Sequence, residues 1–397
     1  MRRKRLCARL TVTAAVFGLL LLPAAASAGR PPGDLPNLPA TDADEPLFAD
    51  QWSMQQIDVE PAHAITGGSP SVRVAVIDSG IDPNHPDFAG RIDHASSVGC
   101  QTGTPVSGVA NWTDQIGHGT LVAGLIGAGD NGVGIIGVAP HVQLVIVKVA
   151  NAGQPITPAA VACAFNYVAR QDIDVANASF AVDKGATGAA DPFDFFCRSD
   201  DADHAAIKLV QKAVKNAQRS GTTVVASAGN NDLDLADPPL GNGCIRMPVE
   251  LPGVVGVSSD TRTGMKSSTP GAASNFGVGV IDVTAPGGDP APQHGGIPGG
   301  LVLSTFPNAM WRRTAGSSFA TAHVSGVAAL VVSRFGSTSA PQNGRLRPGF
   351  VAAVLKQTAE PMPCPPDPRC VGGEGYNGFF GHGEVDAFAA VTHESAP

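Results

Sequence analysis

The sequence predicts an α/β protein: a doubly wound, mostly parallel β-sheet with helices on both faces, forming a single domain. Three observations predict it. Short apolar runs rich in valine and isoleucine alternate with helical patterns along most of the chain. Several of those runs are apolar throughout instead of alternating with polar residues, which marks strands covered on both faces. No linker-like shift in composition interrupts the pattern between about residues 50 and 391.

The elements follow in chain order. Residues 72–77 (VRVAVI) read as a buried strand, and 121–126 begin a small, tightly packed helix. A strand over 142–149, a helix over 159–170 and a strand over 175–180 come next. Residues 205–219 form an amphipathic helix that Gly221 stops. Strands are expected at 223–228, 254–258 and 280–284. A long apolar helix covers 318–335, and another helix 348–358. In such sheets a site lies at the carboxyl ends of the strands. That rule singles out Asp78, which ends the first strand, and Asn230, just beyond the strand ending in VVASAGN.

The first 28 residues read as a secretory signal peptide. Five basic residues precede an apolar run from 10 to 22, and Ala26-Ser27-Ala28 supplies a small-residue cleavage pattern. No later stretch reaches ~18 uninterrupted apolar residues, so no membrane association is expected after signal removal. Residues 29–49 read as a disordered leader, 50–392 as the catalytic domain and 393–397 as a tail. Losing the signal's basic residues takes the formal charge from −8 to −13, which argues against a nucleic-acid partner. Six of the seven cysteines remain, an even number that suits disulfides in an exported chain. Cys364 and Cys370 bracket a Pro-rich loop and are expected to pair; the other pairings stay open. The spacings match no zinc-ligand pattern.

Three segments carry the chemistry: Asp78 in DSG, His118 in GHGT, and Ser318 in GSSFATAHVSG. A serine hydroxyl is a weak nucleophile and needs a base. Neutral imidazole is suited to take its proton near working pH. A buried carboxylate then sets the imidazole tautomer and stabilises the imidazolium. Singly, each residue also reads as a strand-end cap, a loop histidine or a helix N-cap. Read together, with their flanking motifs and in this order, they are far more specific.

At this point the sequence resembles the subtilisin-like serine proteases, the subtilases. The resemblance runs through VAVIDSGIDPNHPDF, GHGTLVAG, NGVGIIGVAP, NASF at Asn177, ASAGN, SNFG at Ser274, TAPGG, GSSFATAHVSGVAAL and GHGEVDAFAAV. The chain order Asp, His, Ser is that family's order. The resemblance implies a secreted, extracellular serine endopeptidase. Ser318 would be the nucleophile, His118 the general base and acid, Asp78 its orienter and Asn230 an oxyanion donor. It also implies that an extended peptide adds as a strand beside Ser179, Phe180 and Ala181, with residues 150–153 opposite. Ala228 and Gly229 would line the primary specificity pocket. A protein or peptide substrate and a monomeric enzyme are expected, with no cofactor for the chemistry. Asp87 and Asn131 match positions of a calcium site common in the family and implied here as structural; both also read as ordinary loop residues.

Several positions depart from the family pattern. Ala181 and Val182 stand where glycines are usual, so a narrowed pocket rim is expected. Ser317, Phe319, Ala322 and Leu121 replace a threonine, a methionine, a proline and a histidine. Residues 29–49 are too few for the folding pro-domain of many secreted members. The protein is therefore expected to fold unaided or with a helper in trans. An α/β-hydrolase esterase is disfavoured, because Ala320 occupies the second glycine of Gly-x-Ser-x-Gly and the serine comes last. A metalloprotease is disfavoured for want of His-Glu-x-x-His. The alternative of another class is a catalytically silent binding protein on the same fold, in which at least one reacting group would be expected to be lost.

Overall fold

Valine-rich strands surround the first one. In a computed structural model that describes residues 33–184, 194–241, 243–340 and 344–393, β1 spans Arg73–Asp78, with α1 at His118–Gly127, β2 at Gln143–Lys148 and α2 at Pro158–Val168. The chain continues through β3 (Val175–Ala178), α3 (Asp201–Arg219), β4 (Thr223–Ser227), β5 (Val255–Asp260) and β6 (Val283–Pro286). It ends in α4 (Ser317–Phe335) and α5 (Pro348–Gln357). The proposed signal segment lies outside the described residues, as does the tail beyond His393.

These strands and two short ones form an eight-stranded sheet in the order β6-β5-β4-β3-β1-β2, then Val98–Gly99 and Val106–Ser107. Only the last pair is antiparallel. β1 lies between β2 and β3, with Asp78 opposite Lys148 and Ile77 opposite Ala178. The chain therefore winds one way from β1 to β2, and β3 reverses it. That reversal opens a crevice at the carboxyl end of β1, where Asp78 sits.

The period of two along each strand splits the core. Val74 and Val76 face a cluster with Val122, Leu125, Val324 and Leu330 of α1 and α4. Ala75 and Ile77 face a second cluster with Val161, Phe165, Ile207 and Val214 of α2 and α3. Helix α4 is apolar enough to span a membrane by length and composition, but 94% of it is buried inside the protein. It is the central core helix, and its burial delivers its N-terminal serines to the strand edge.

The expected strands and helices all form, with ends shifted by a few residues. The leader is a correction: residues 33–49 are packed, not disordered. Leu35 is buried, the backbone of Ala40 and Gly67 pairs with His63 and Leu38, and Asp42 accepts from buried His63 at 2.6 Å. Few apolar residues reveal this segment in sequence; its anchoring is by buried polar contacts. Disulfides join Cys364–Cys370 as expected, with Cys100–Cys163 and Cys197–Cys244 settling the open pairings.

Candidate active site

Asp78 ends β1 and is almost fully buried. Its Oδ1 accepts the Ser79 N–H at 2.7 Å and lies 2.8 Å from His118 Nδ1. A carboxylate only accepts, so Nδ1 carries the proton and Nε2 keeps its lone pair. His118 opens α1 after Gly117, whose φ of 96° is a left-handed conformation. Gly119 is required by proximity: a Cβ there would stand 2.1 Å from the Gly80 carbonyl oxygen.

A residue that sequence reasoning missed frames this loop. Buried Asp114 accepts from Ser79 Oγ at 2.9 Å and from the N–H groups of Ile116 and Gly117, each at 2.9 Å. Its other oxygen takes the Thr120 N–H at 3.0 Å and Thr120 Oγ1 at 2.7 Å. Ser79 Oγ in turn accepts the Gly119 N–H at 2.9 Å. The signal was present as an aspartate four residues before the histidine, but nothing local distinguished it from a loop acid. Burial opposes charging of His118, yet the charge and hydrogen bond of Asp78 and the charge of Asp114 outweigh it and raise its pKa above the ordinary 6.5.

Ser318 is the second residue of α4 and only 7% exposed. Its Oγ donates to the Ser179 carbonyl at 3.1 Å, and its own carbonyl accepts Ser179 Oγ at 2.8 Å. Among the described residues, Ser318 Oγ therefore bonds Ser179 and not His118. The imidazole packs against the next side chain, with the Phe319 ring centroid 5.7 Å away.

Asn230 is tied to the same helix. Its Oδ1 accepts the Ser317 N–H at 2.8 Å, and Ser317 Oγ accepts the Gly229 N–H at 3.0 Å. With Oδ1 occupied, the amide Nδ2 is the end left to donate beside Ser318. Ser317 thus retains the hydroxyl that its expected threonine would supply. Buried Asn275 clamps the same stretch from below. It donates to the Ala228 carbonyl at 2.8 Å and accepts the N–H groups of Asn231 at 2.9 Å and Leu233 at 3.0 Å. It lies in the quoted SNFG motif, where its type alone gave it no role.

The substrate wall is close to expectation, with one correction. Ser179 and Phe180 are buried and Ala181 is half-buried beside them. Val182 is fully buried, joins the α2–α3 side of the core and donates its N–H to Met247 at 2.9 Å. It fills the interior, so only Ala181 adds a side chain near the rim. Ala228 is buried and Gly229 holds a φ of 100°.

The cation positions can be tested for fit. Asp87 is fully buried; its Oδ2 accepts Ile135 N at 3.1 Å and Trp311 Nε1 at 2.8 Å, while Oδ1 takes no hydrogen bond. Glu45 Oε1 accepts the N–H groups of Asn131 at 2.7 Å and Gly132 at 2.8 Å, while buried Oε2 takes none. Burial raises the pKa of both carboxyls. Asn131 closes the loop by donating to the Pro86 carbonyl at 3.1 Å. Two buried carboxylates with an orphaned oxygen each suit a hard cation. Glu45 was missed because it fell in the segment read as leader. Among the described residues no three His, Cys, Asp or Glu side chains cluster, so further ligands would be amide or backbone oxygens.

Comparison with known proteins bears on the same residues. The sequence model described as the Subtilase family matches residues 69–383. Thermitase of Thermoactinomyces vulgaris is 28% identical over 351 residues, 88% of this chain and 99% of that protein. Subtilisin DY of Bacillus licheniformis is 31% identical over 273 residues, 68% of this chain and 80% of that protein. Among solved structures, a lanthipeptide protease superposes with a TM-score of 0.65 at 25% identity, covering 87% of this chain and 91% of that one. The epidermin leader peptide processing serine protease of Staphylococcus aureus gives 0.69 at 24% identity, over 91% and 85%, a likeness of fold.

Proposed function

The chain belongs to the subtilase family and is a serine endopeptidase; on that premise we propose that Ser318 is its nucleophile, His118 its general base and acid, Asp78 the orienter and Asn230 an oxyanion donor. The observation that best supports this is the 2.8 Å bond from His118 Nδ1 to a carboxylate at the strand edge, which leaves Nε2 free as base.

A peptide enters in extended form beside Ser179–Ala181, and Ala228 and Gly229 receive the side chain before the cleaved bond. The Ser318 hydroxyl turns from the Ser179 carbonyl toward His118 Nε2. Oγ forms a bond to the scissile carbonyl carbon as its proton passes to Nε2. The carbonyl oxygen becomes an oxyanion, met by Asn230 Nδ2 and the Ser318 N–H at the positive end of α4. Collapse breaks the C–N bond, and the leaving amine takes the proton from His118. Water then repeats the sequence on the acyl-enzyme, giving the free carboxylate and restoring Ser318. Asp78 stabilises the imidazolium in both halves. Asp114 holds the loop that carries the base.

Residues 1–28 direct export, which makes the enzyme extracellular and matches its three disulfides. The catalytic domain reaches back to residues now seen packed, including Glu45. Glu45, Asp87 and Asn131 would hold a structural calcium, which supplies charge compensation for two buried carboxylates and takes no part in the reaction. A fluorophosphonate probe is expected to label the wild type and not Ser318→Ala. No labelling of the wild type at any pH between 6 and 10, with or without calcium, would overturn the assignment.

A further inference from the structure

The small-residue wall at Ala228 and Gly229 has an arginine behind it. Arg246 ends the strand Cys244–Arg246, which pairs antiparallel with Phe195–Cys197. The Cys197–Cys244 disulfide joins two directly paired residues of that ladder and ties the hairpin two residues from Arg246. Arg246 is only 8% exposed. A Cβ built on Gly229 would stand 3.3 Å from Arg246 Nε and 3.4 Å from its Cζ. The guanidinium therefore rests directly against the glycine, and the missing side chain is what admits it.

The residues around this position are otherwise small and uncharged. Ala228 is fully buried and Ala181 half-buried. The one acid interacting with Arg246 that can be named is Glu250, whose carboxyl accepts the Arg246 backbone N–H. Burial pushes that carboxyl up to about 7, against the pull of Arg246 and of Arg198. Two fixed cations thus face one carboxyl that resists ionisation. Against a chain of net charge −8, the local balance at Gly229 is positive.

We propose that Arg246 sets the primary specificity of the enzyme, so that it cleaves after glutamate or aspartate. The proposal rests on the reading of Ser318 as nucleophile and of Ala228 and Gly229 as the pocket wall. A buried guanidinium offers a rigid fork of donors that a carboxylate matches and a neutral amide does not. In a pocket shielded from water, that charge-assisted contact is stronger than at the surface. The Ala181 methyl at the rim acts in the same sense by disfavouring broad aromatic side chains. A lysine or arginine in the pocket would meet like charge.

The test uses the secreted, disulfide-bonded enzyme and a matched peptide series with Glu, Gln, Leu, Phe or Lys before the cleaved bond. Glu and Gln are nearly isosteric, so their ratio isolates the charge. The wild type is expected to favour Glu over Gln by about tenfold or more in kcat/KM, with the ratio shrinking as salt is added. Arg246→Gln is expected to bring the ratio to about one. If that variant does not fold, the wild-type ratio and its salt dependence decide alone. A wild type that is labelled by fluorophosphonate but prefers Gln, Leu or Phe to Glu overturns the role of Arg246 and leaves the nucleophile standing. A wild type that is neither labelled nor cleaves any peptide overturns the nucleophile assignment, and this proposal with it.

Discussion

Buried carboxyls meet two different fates in this protein. At the edge of β1, Asp78 and Asp114 are surrounded by donors: Asp114 alone accepts five N–H or O–H groups from Ser79, Ile116, Gly117 and Thr120. At the end of β5, fully buried Asp260 instead faces a second acid, Glu384. There the visible donors are the Gln56 amide to Glu384 and Thr284 Oγ1 to Asp260. Burial first, then the charge and hydrogen bond of Glu384, push Asp260 well above its ordinary range. Burial likewise pushes Glu384 up to about 7, opposed by hydrogen bonds from Gln56 and Asp260 and aided by the charges of Glu360 and Asp386. The difference teaches that burial alone does not set a carboxyl's charge. What decides is whether the backbone folds enough N–H groups toward it.

The strongest way to break this comparison is at Asp78. Asp78→Asn removes the acceptor that holds His118 in its working tautomer, and an about 10⁴-fold fall in kcat is expected. The acid limb of the residual activity should also move to lower pH, because the charge that raises His118 is gone and burial then dominates. A variant with near wild-type turnover would show that Asp78 does not orient the base.

The second test lies at the acid pair. A carboxyl whose folded pKa is raised favours the protonated form, so its stability is complete below about pH 4.5. That stability is lost as pH climbs toward about 7. Glu384→Gln keeps the shape and removes the proton, so it should flatten this loss and gain on the order of 2 kcal/mol at pH 8. Urea midpoints at pH 5 and pH 8 read the effect. Parallel pH profiles for variant and wild type would mean that the pair is not a stability liability.

A smaller effect is expected where the two cases mix, at Glu45 and Asp87, each with one oxygen satisfied and one orphaned. Chelating calcium should lower the melting temperature by a few degrees. The loss should be greater at pH 8 than at pH 5, where protonation relieves the bare carboxyls. Identical melting with and without chelator at both values would remove the cation from this loop.

Much of this was legible in the chain. The strand at 72–77 could be read because a parallel strand buried on both faces must be apolar throughout, and the helix at 318–335 because a core helix carries no polar face. Asp78, His118, Asn230 and Ser318 were legible because glycines and short motifs flank them. Asp114, Asn275 and Glu45 were not, since an acid or amide in a loop looks the same whether solvated or buried. Val182 misled for a related reason: its position in sequence beside the rim says nothing about which way its side chain turns.

By itself, then, the sequence determined the alternation of strands and helices, the chemical identity of the reacting groups and their order, because periodicity and residue type are local properties. Only the tertiary structure decided that five donors converge on Asp114, that two acids meet at Asp260 and Glu384, and that Arg246 lies against Gly229. Those are contacts between segments far apart in the chain, and charge state and specificity depend on distances that no local pattern encodes.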